Sequence, residues 1–537
     1  MKAFSRVFEI NIAIFLLVFK SCLSVCFAES RSLTVEAVSS RSEFSTNTEI
    51  STNIERGEFS ITGGLRSDNG ASLFHSFTRF GVGENHSAIF INSDEAFSPR
   101  NIVSRIIGGE VSNIYGNLRT DGFNDVNLFL INPAGVVFGP NASLNIDGAL
   151  HVITNNDIDL VEDTARFFSN PDYGNLLTIP EVMDFGFLTM PPLQGDLETS
   201  DSIQVLGTTL NQSQGNLSLI GKHINLTNAV IKVDNGSLFI SGESLNIISS
   251  RGKANNIDIN ARTLSMAGSF LSTKTTSNQN SGNISINASH SVSIYGLSDI
   301  DSDQSRFFDV MIPTIPTVTT TLVGEGGKAG NIKISTPSLA ITQHAGIFAR
   351  ALGSTGEAGN IVLTANHLAI KDGSEISTVA LGEGGGNINI YSEFIVLGDD
   401  SKITASALGN GGAITINTDF LFNAPDSKIS AQSAGAGSSI DGVIAVTAPD
   451  ENIISSALSL SDTYLNMPVL ASNPCASRTD SNGNSLVIRQ SSGIAPEPDS
   501  MLSASHSSQY DQVPPVSLRT VGNSLVLSEL RCQRERD

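Results

Sequence analysis

The sequence predicts an all-β chain wound as a single-stranded right-handed parallel β-helix with an irregular C-terminal tail. Three observations carry this. Gly is abundant, Trp is absent and aromatics are only 6 %, so residues suited to strands and tight turns prevail over helix formers. Apolar residues recur two apart in short runs, which is the periodicity of a strand. Those runs return at fixed offsets along the chain, so the pattern is a repeat and not a set of independent strands.

In chain order, residues 1–28 come first. Lys2 and Arg6 precede an apolar run from Ile10 to Phe19, and small residues stand at Cys26 and Ala28. This predicts a secretory signal peptide cut after Ala28, its apolar run too short to span a bilayer as a helix. An alternative, lipid attachment at Cys26 within "LSVC", is opposed by the bulk of Val25. No other stretch predicts a stable membrane span, and the charged end "CQRERD" is unlike the aromatic-ended last strand of an outer-membrane barrel. The mature chain is expected to be soluble or attached to a surface.

Residues 29–190 form a domain with more varied strands, among them "LFHSFTRFGV", "SAIFINS" and "NLFLINPAGVVFGPNASLNIDGALHV". Residues 191–435 carry the β-helix repeat, clearest from about 255 to 432. Aligning "NIKISTPSLAI", "NIVLTANHLAI" and "NINIYSEFIVL" places Ile332 and Ile334 over Ile361 and Leu363, then over Ile388 and Ile390. Leu339 and Ile341 fall over Leu368 and Ile370, then Ile395 and Leu397; further on stand Ile347, Ile376 and Ile403. A fourth copy from Ile414 keeps Ile416, Leu421 and Ile429 and breaks at Asn423, and the starts lie 29, 27 and 26 residues apart. An earlier copy keeps Ile257, Ile259, Leu264 and Met266, whereas "NISINASHSVSIYG" slips by one residue.

Three short strands per repeat make a coil with three walls, and stacked coils bury the Ile and Leu columns in one core. Gly330, Gly359 and Gly386, each followed by Asn, are expected at corners that need left-handed dihedrals. Residues 296–330 interrupt the repeat and are expected to project as a loop. From 436 to 537 the repeat fades and Ser, Pro and Asn rise, which predicts an irregular cap or tail. Once the leader is removed, Cys475 and Cys532 are the remaining cysteines. An even pair in an exported chain points to one disulfide closing a C-terminal loop, the alternative being two free thiols.

A formal net charge of -22, with no cluster of Lys and Arg interleaved with aromatics, argues against nucleic acid as a partner. Within the domain at 29–190, "NPAG" suits a type I turn: Asn132 first, Pro133 with its preset φ, Gly135 last. "GPNA" at 139–142 makes a second corner. Neither supplies a nucleophile, a base or a metal ligand, so the segment turns the chain and does no chemistry.

Three stretches, "ITGGLRSDNGASLFHSFTRFGVG", "NIVSRIIGGEVSNIYGNLRTDG" and "NLFLINPAGVVFGPNASLNIDG", resemble in order and spacing the N-terminal secretion domain of the filamentous haemagglutinin family, the exported members of two-partner secretion systems. The family's Asn-Pro-Asn-Gly-Ile signature falls on Asn132, Pro133, Ala134, Gly135 and Val136, with Ala134 and Val136 departing from it; its Asn-Pro-Asn-Leu signature has no counterpart. The tail "CASRTDSNGNSLVIRQSSGIAPEPDS" is similar to the ends of short cyanobacterial members. The resemblance implies recognition in the periplasm by the soluble domains of an outer-membrane barrel transporter, passage through it unfolded, and folding outside. Asn132, Pro133 and Gly135 would then be either a turn alone or a turn that is also recognised. The expected product is a secreted or cell-surface adhesin whose ligand, a cell surface or a glycan, the sequence does not name.

Pectin-lyase-like solenoids share this fold, so a polysaccharide lyase or hydrolase is the competing reading. "NTD" at 417–419 and "DD" at 399–400 run in the reverse of the expected order, without Gly-His-Gly or Arg-Ile-Lys after them, and Asp419 is better placed at a corner before "FLF". Acidic or basic side chains clustered on one outer wall would favour an enzyme; their absence would favour adhesion. Asp299, Asp301 and Asp303 alternate like a calcium loop, but Gln304 and Val310 stand where Gly and Glu belong. His75, His86, His151, His223 and His344 lack metal-ligand spacing. No catalytic residue, metal or cofactor is assigned.

Overall fold

The computed structural model describes residues 35–37, 46–67, 70–94, 96–154, 157–160, 165–168, 201–275, 279–296, 317–322, 326–382, 384–398, 400–434, 440–448, 516–521 and 524–529. Packing divides the chain into a first unit, Met1–Glu451, and a second, Asn452–Asp537. In the second, the described residues are one antiparallel pair, Val516–Val521 with Ser524–Glu529.

The first unit is a right-handed parallel β-helix, and its coil has the three walls that the repeat predicts. In one coil, Ile361–Ile370 supplies two walls, bending at Asn366, which the ladder skips; Glu375–Ala380 supplies the third. Each segment pairs in parallel with its counterparts one coil away: Ile361 with Ile332 and Ile388, Ile376 with Ile347 and Ile403. Winding returns the chain to the same wall in the same direction, so pairing must be parallel, and strand twist fixes the hand. Two walls merge into one 20-stranded sheet, and the third is a separate sheet of nine strands, from Thr209–Gln212 to Lys428–Ser430.

Inward positions carry the predicted columns. Ile332, Ile361, Ile388 and Ile414 are fully enclosed, as are Ile347, Ile376 and Ile403. They belong to one continuous apolar core running from Val35 to Ala431. Burial of each such side chain stabilises the fold by about 1.5–3 kcal/mol. The one-residue slip in "NISINASHSVSIYG" is a bulge: the ladder pairs Ala261 with Ala288 but Thr263 with Ser291, while Ile284, Ile286, Val292 and Ile294 remain inside. Asp419 lies at the bend of its strand, outside the ladder between Thr418 and Phe420. Shorter coils precede the predicted repeat, with successive contacts 21 and 19 residues apart, stacking Ile203, Ile224 and Leu245.

Three expectations need correction. Residues 296–330 are not all an excursion, because Thr317–Leu322 is a strand of the third wall between Phe270–Thr275 and Gly346–Ala351. Its inward side chains include Val318 and Thr320, so the Ile-x-Ile mark that reveals its neighbours is missing. The sheet also continues past residue 435: Ile444–Thr447 pairs in parallel with Ile414–Asn417.

The third correction concerns the corner glycines. Gly330, Gly359 and Gly386 are absent from the positive-φ residues. They are required by close approach instead: a Cβ on Gly330 would overlap the Gly282 carbonyl oxygen, one on Gly359 that of Gly330, and one on Gly386 that of Gly359. The asparagines that follow stack as a ladder. Asn331 N–H donates to Asn283 Oδ1 at 2.8 Å, Asn360 N–H to Asn331 Oδ1 at 2.9 Å, and Asn387 N–H to Asn360 Oδ1 at 2.9 Å. Buried threonines reach the same corners, Thr320 Oγ1 donating to Gly330 O at 2.6 Å and Thr378 Oγ1 to Gly386 O at 2.8 Å.

At the N-terminal end the pattern turns antiparallel. Thr48–Asn53 pairs with Glu58–Gly63, and Val35–Ala37 and Leu65–Arg66 both pair with Ser72–Phe80. These strands pair with the first coil, whose edge would otherwise present unpaired backbone groups.

Candidate functional site

The corner at 132–135 is built from strands buried on both faces. In Asn127–Ile131, Leu128 and Leu130 enter the central core, while Phe129 and Ile131 join Phe74, Val103 and Ile153 in a second apolar layer outside it. The strand pairs in parallel with Asn101–Ile106 and Leu150–Ile153, so the chain leaves Ile131 in a fixed direction.

Asn132 then ties the corner together. Its side chain is fully enclosed; Nδ2 donates to Glu110 O at 2.8 Å and to Ser112 Oγ at 2.9 Å, and Oδ1 accepts from Ala134 N–H at 3.0 Å. Its own N–H donates to Ile153 O, and Gly135 N–H closes the turn on Asn132 O at 2.9 Å. Gly135 sits at φ +114, and a Cβ there would stand 3.0 Å from Ser202 O. Pro133 O accepts from Asp201 N–H at 2.9 Å, which joins the corner to the next coil. Burial lifts the Asp201 carboxyl above its usual range, opposed by the charges of Lys222 and His223. At the second corner, a Cβ on Gly139 would overlap the Tyr115 ring.

Only Pro133 and Ala134 of this turn are partly exposed. A partner that reads the Asn132 side chain itself must therefore meet the chain before the corner closes. Sequence reasoning missed the residues that hold Asn132, namely Glu110 through its carbonyl and Ser112. The stretch "GGEVSN" gave no sign of them because their role depends on stacking one coil below.

Two further groups in this region were singled out only as histidines. His75 lies in the first coil's core, Nδ1 3.1 Å from Thr48 Oγ1 and edge-on to Phe90 at 5.4 Å. Burial lowers its pKa to about 3. His151 stacks on Phe129 at 4.4 Å with Nδ1 2.9 Å from Ser218 Oγ, and burial lowers it to about 4. Arg105 is buried nearby, Nε donating to Ser76 Oγ at 2.9 Å, its guanidinium pKa depressed by desolvation.

Cys475, Cys532, Asp299, Asp301, Asp303 and Asp399 lie outside the described residues. Among the described residues no three His, Cys, Asp or Glu side chains come together in a way that could hold a metal, and no helix is long and apolar enough to cross a membrane.

A family model of the TPS secretion domain matches residues 37–334, more than half of the chain. The chain therefore belongs to the two-partner secretion family, whose members are exported across the outer membrane by a partner barrel transporter. That family is defined by secretion and not by a reaction. Among solved structures the chain is similar to the HMW1 secretion domain from Haemophilus influenzae, with 14 % identity, a TM-score of 0.45, and coverage of 77 % of this chain and 99 % of that one. We find no match among curated proteins.

Proposed function

We propose that the chain is an adhesin-like surface or extracellular protein that enters the periplasm behind a signal peptide at 1–28. There the soluble domains of its transporter recognise the secretion domain, and the β-helix is completed outside the cell. The observation that carries this reading is the secretion-domain match joined to coils whose outer positions on the 20-stranded sheet between residues 223 and 295 are mostly small and polar: Asn225, Asn246, Asn260 and Asn287 among them. Such walls are suited to broad, shallow contacts with a surface. Asn132, Pro133 and Gly135 serve the fold as a turn, and their recognition by the transporter belongs to the chain before that turn closes.

The test is attachment. Cells that export the full chain should adhere to a surface or to other cells, and added purified chain should compete. Equal adhesion by cells lacking the chain would remove the adhesin reading.

A further inference from the structure

We propose that the outer face of the third wall binds a polyanionic polysaccharide at Lys232, Arg251, Lys253 and Lys274. This deepens the adhesin reading and rests on it, naming the wall and the chemistry it takes.

The four bases stand on three successive strands, Val230–Val233, Arg251–Ala254 and Phe270–Thr275. Lys232 is in register with Lys253, Arg251 with Phe270, and Lys253 with Ser272, two residues before Lys274. They occupy outward positions, while Ile231, Ala254, Leu271 and Thr273 between them are buried. Strand spacing of about 4.8 Å and a two-residue step of about 6.8 Å place neighbouring bases about 5–8 Å apart in a patch about 14 Å long. Each base thus lies within about one Debye length, about 8 Å at physiological salt, of its nearest neighbour, so the patch acts locally despite the acidic chain around it.

The asymmetry is specific to this wall. Twelve lysines and arginines are described between residues 201 and 448, and seven are on its outer face: these four with Arg350, Lys402 and Lys428. Two acids accompany them, Asp234 and Glu375, while outer positions of the other walls beside the lower strands, between residues 237 and 295, are mainly Asn, Ser and Thr. Of the upper three bases, Lys402 and Lys428 each follow a turn bearing an acid, Asp400 and Asp426, and Arg350 lies within the field of the Glu375 carboxylate on the next strand. The turns entering the lower strands carry Asn228, Ser249 and Gly268, which are uncharged. This places the site at the lower four, where Asp234 is engaged by Lys232 at 2.9 Å. Arg251 is held with Cζ 5.6 Å from the Phe270 ring centroid.

A linear polymer lying across the strands meets this patch over three coils. A narrow sugar chain fits within it, whereas a rigid duplex would carry its other phosphates over the acidic remainder of the molecule. Clustered bases are also what a lyase needs, and product formation separates the two.

The experiment passes the exported full chain over immobilised dextran sulfate, polygalacturonate and neutral dextran. Binding to one or both anionic polymers, none to neutral dextran, and steep weakening with salt are expected; the sulfated and carboxylated arms identify which anion is read. Joint Lys253→Glu and Lys274→Glu should weaken binding by about tenfold or more, with Lys333→Glu on the 20-stranded sheet within about twofold of the parent. Matching unfolding curves confirm that the variants fold, and the salt titration of the parent needs no variant. Equal binding to neutral dextran, equal loss from Lys333→Glu, equal competition by duplex DNA, or release of unsaturated uronate would overturn the proposal. Attachment of cells without polysaccharide binding would overturn it while leaving the adhesin reading intact; loss of both would overturn both.

Discussion

Asn132 shows how one side chain can fix a corner: in a site closed to water, its amide satisfies a carbonyl, a hydroxyl and an N–H from two neighbouring segments. Asn132→Ala would leave the buried Ser112 hydroxyl without this partner and remove the bonds to Glu110 O and Ala134 N–H at the corner's outer side, a cost of about 1–3 kcal/mol, read as a lower denaturant midpoint. Pro133→Ala keeps these hydrogen bonds and should cost about 1 kcal/mol or less. If the two variants lose export in proportion to stability, the corner is a turn; loss of export in Pro133→Ala at parental stability marks recognition. His75 makes a pH prediction. Its pKa falls from 6.5 to about 3 on folding, so the unfolded chain binds the proton first as pH drops. The stability is therefore complete above about pH 6.5 and is lost on going down towards pH 3, with about 3 kcal/mol gone by pH 4. Urea midpoints across that window should fall more steeply for the parent than for His75→Gln, and parallel slopes would contradict the assignment.

The corner glycines matter at the level of the element because each one leaves room for the carbonyl of the coil before it. Gly386→Ala would force a Cβ into the Gly359 carbonyl, and the backbone shift needed should cost about 2–4 kcal/mol. Asn360→Ala removes one exposed rung, the bond to Asn387 N–H, and should cost about 1 kcal/mol or less in thermal unfolding. The strands themselves were legible: Ile-x-Ile pairs at fixed offsets name the inward columns because their side chains face one core. What the sequence hid has a physical pattern. Thr317–Leu322 escaped notice since Val318 and Thr320 fill inward sites where the neighbouring coils have Ile347 and Ala349. The glycines were located by sequence but assigned the wrong cause, because steric approach from another coil leaves no mark in the local residues. Asn132 was legible as a turn, while its partners Glu110 and Ser112 were not, being neighbours only after the chain has wound once.

The described coils of the first unit form a stack in which each coil contacts mainly the coils beside it, so folding can proceed from one end as chain becomes available. That property suits a protein that leaves the cell through a barrel, since every coil completed outside opposes its return. The antiparallel strands at the N-terminal end pair with the first coil, and the secretion-domain match runs from residue 37 to 334 across the same continuous core. The central claim is export through a partner, and fractionation tests it most directly. Full chain and a chain lacking residues 30–190 are compared in cells with and without the cognate barrel transporter, probing surface and medium. The account predicts export only when both the domain and the transporter are present. Export of the truncated chain, or of the full chain without the transporter, would contradict it.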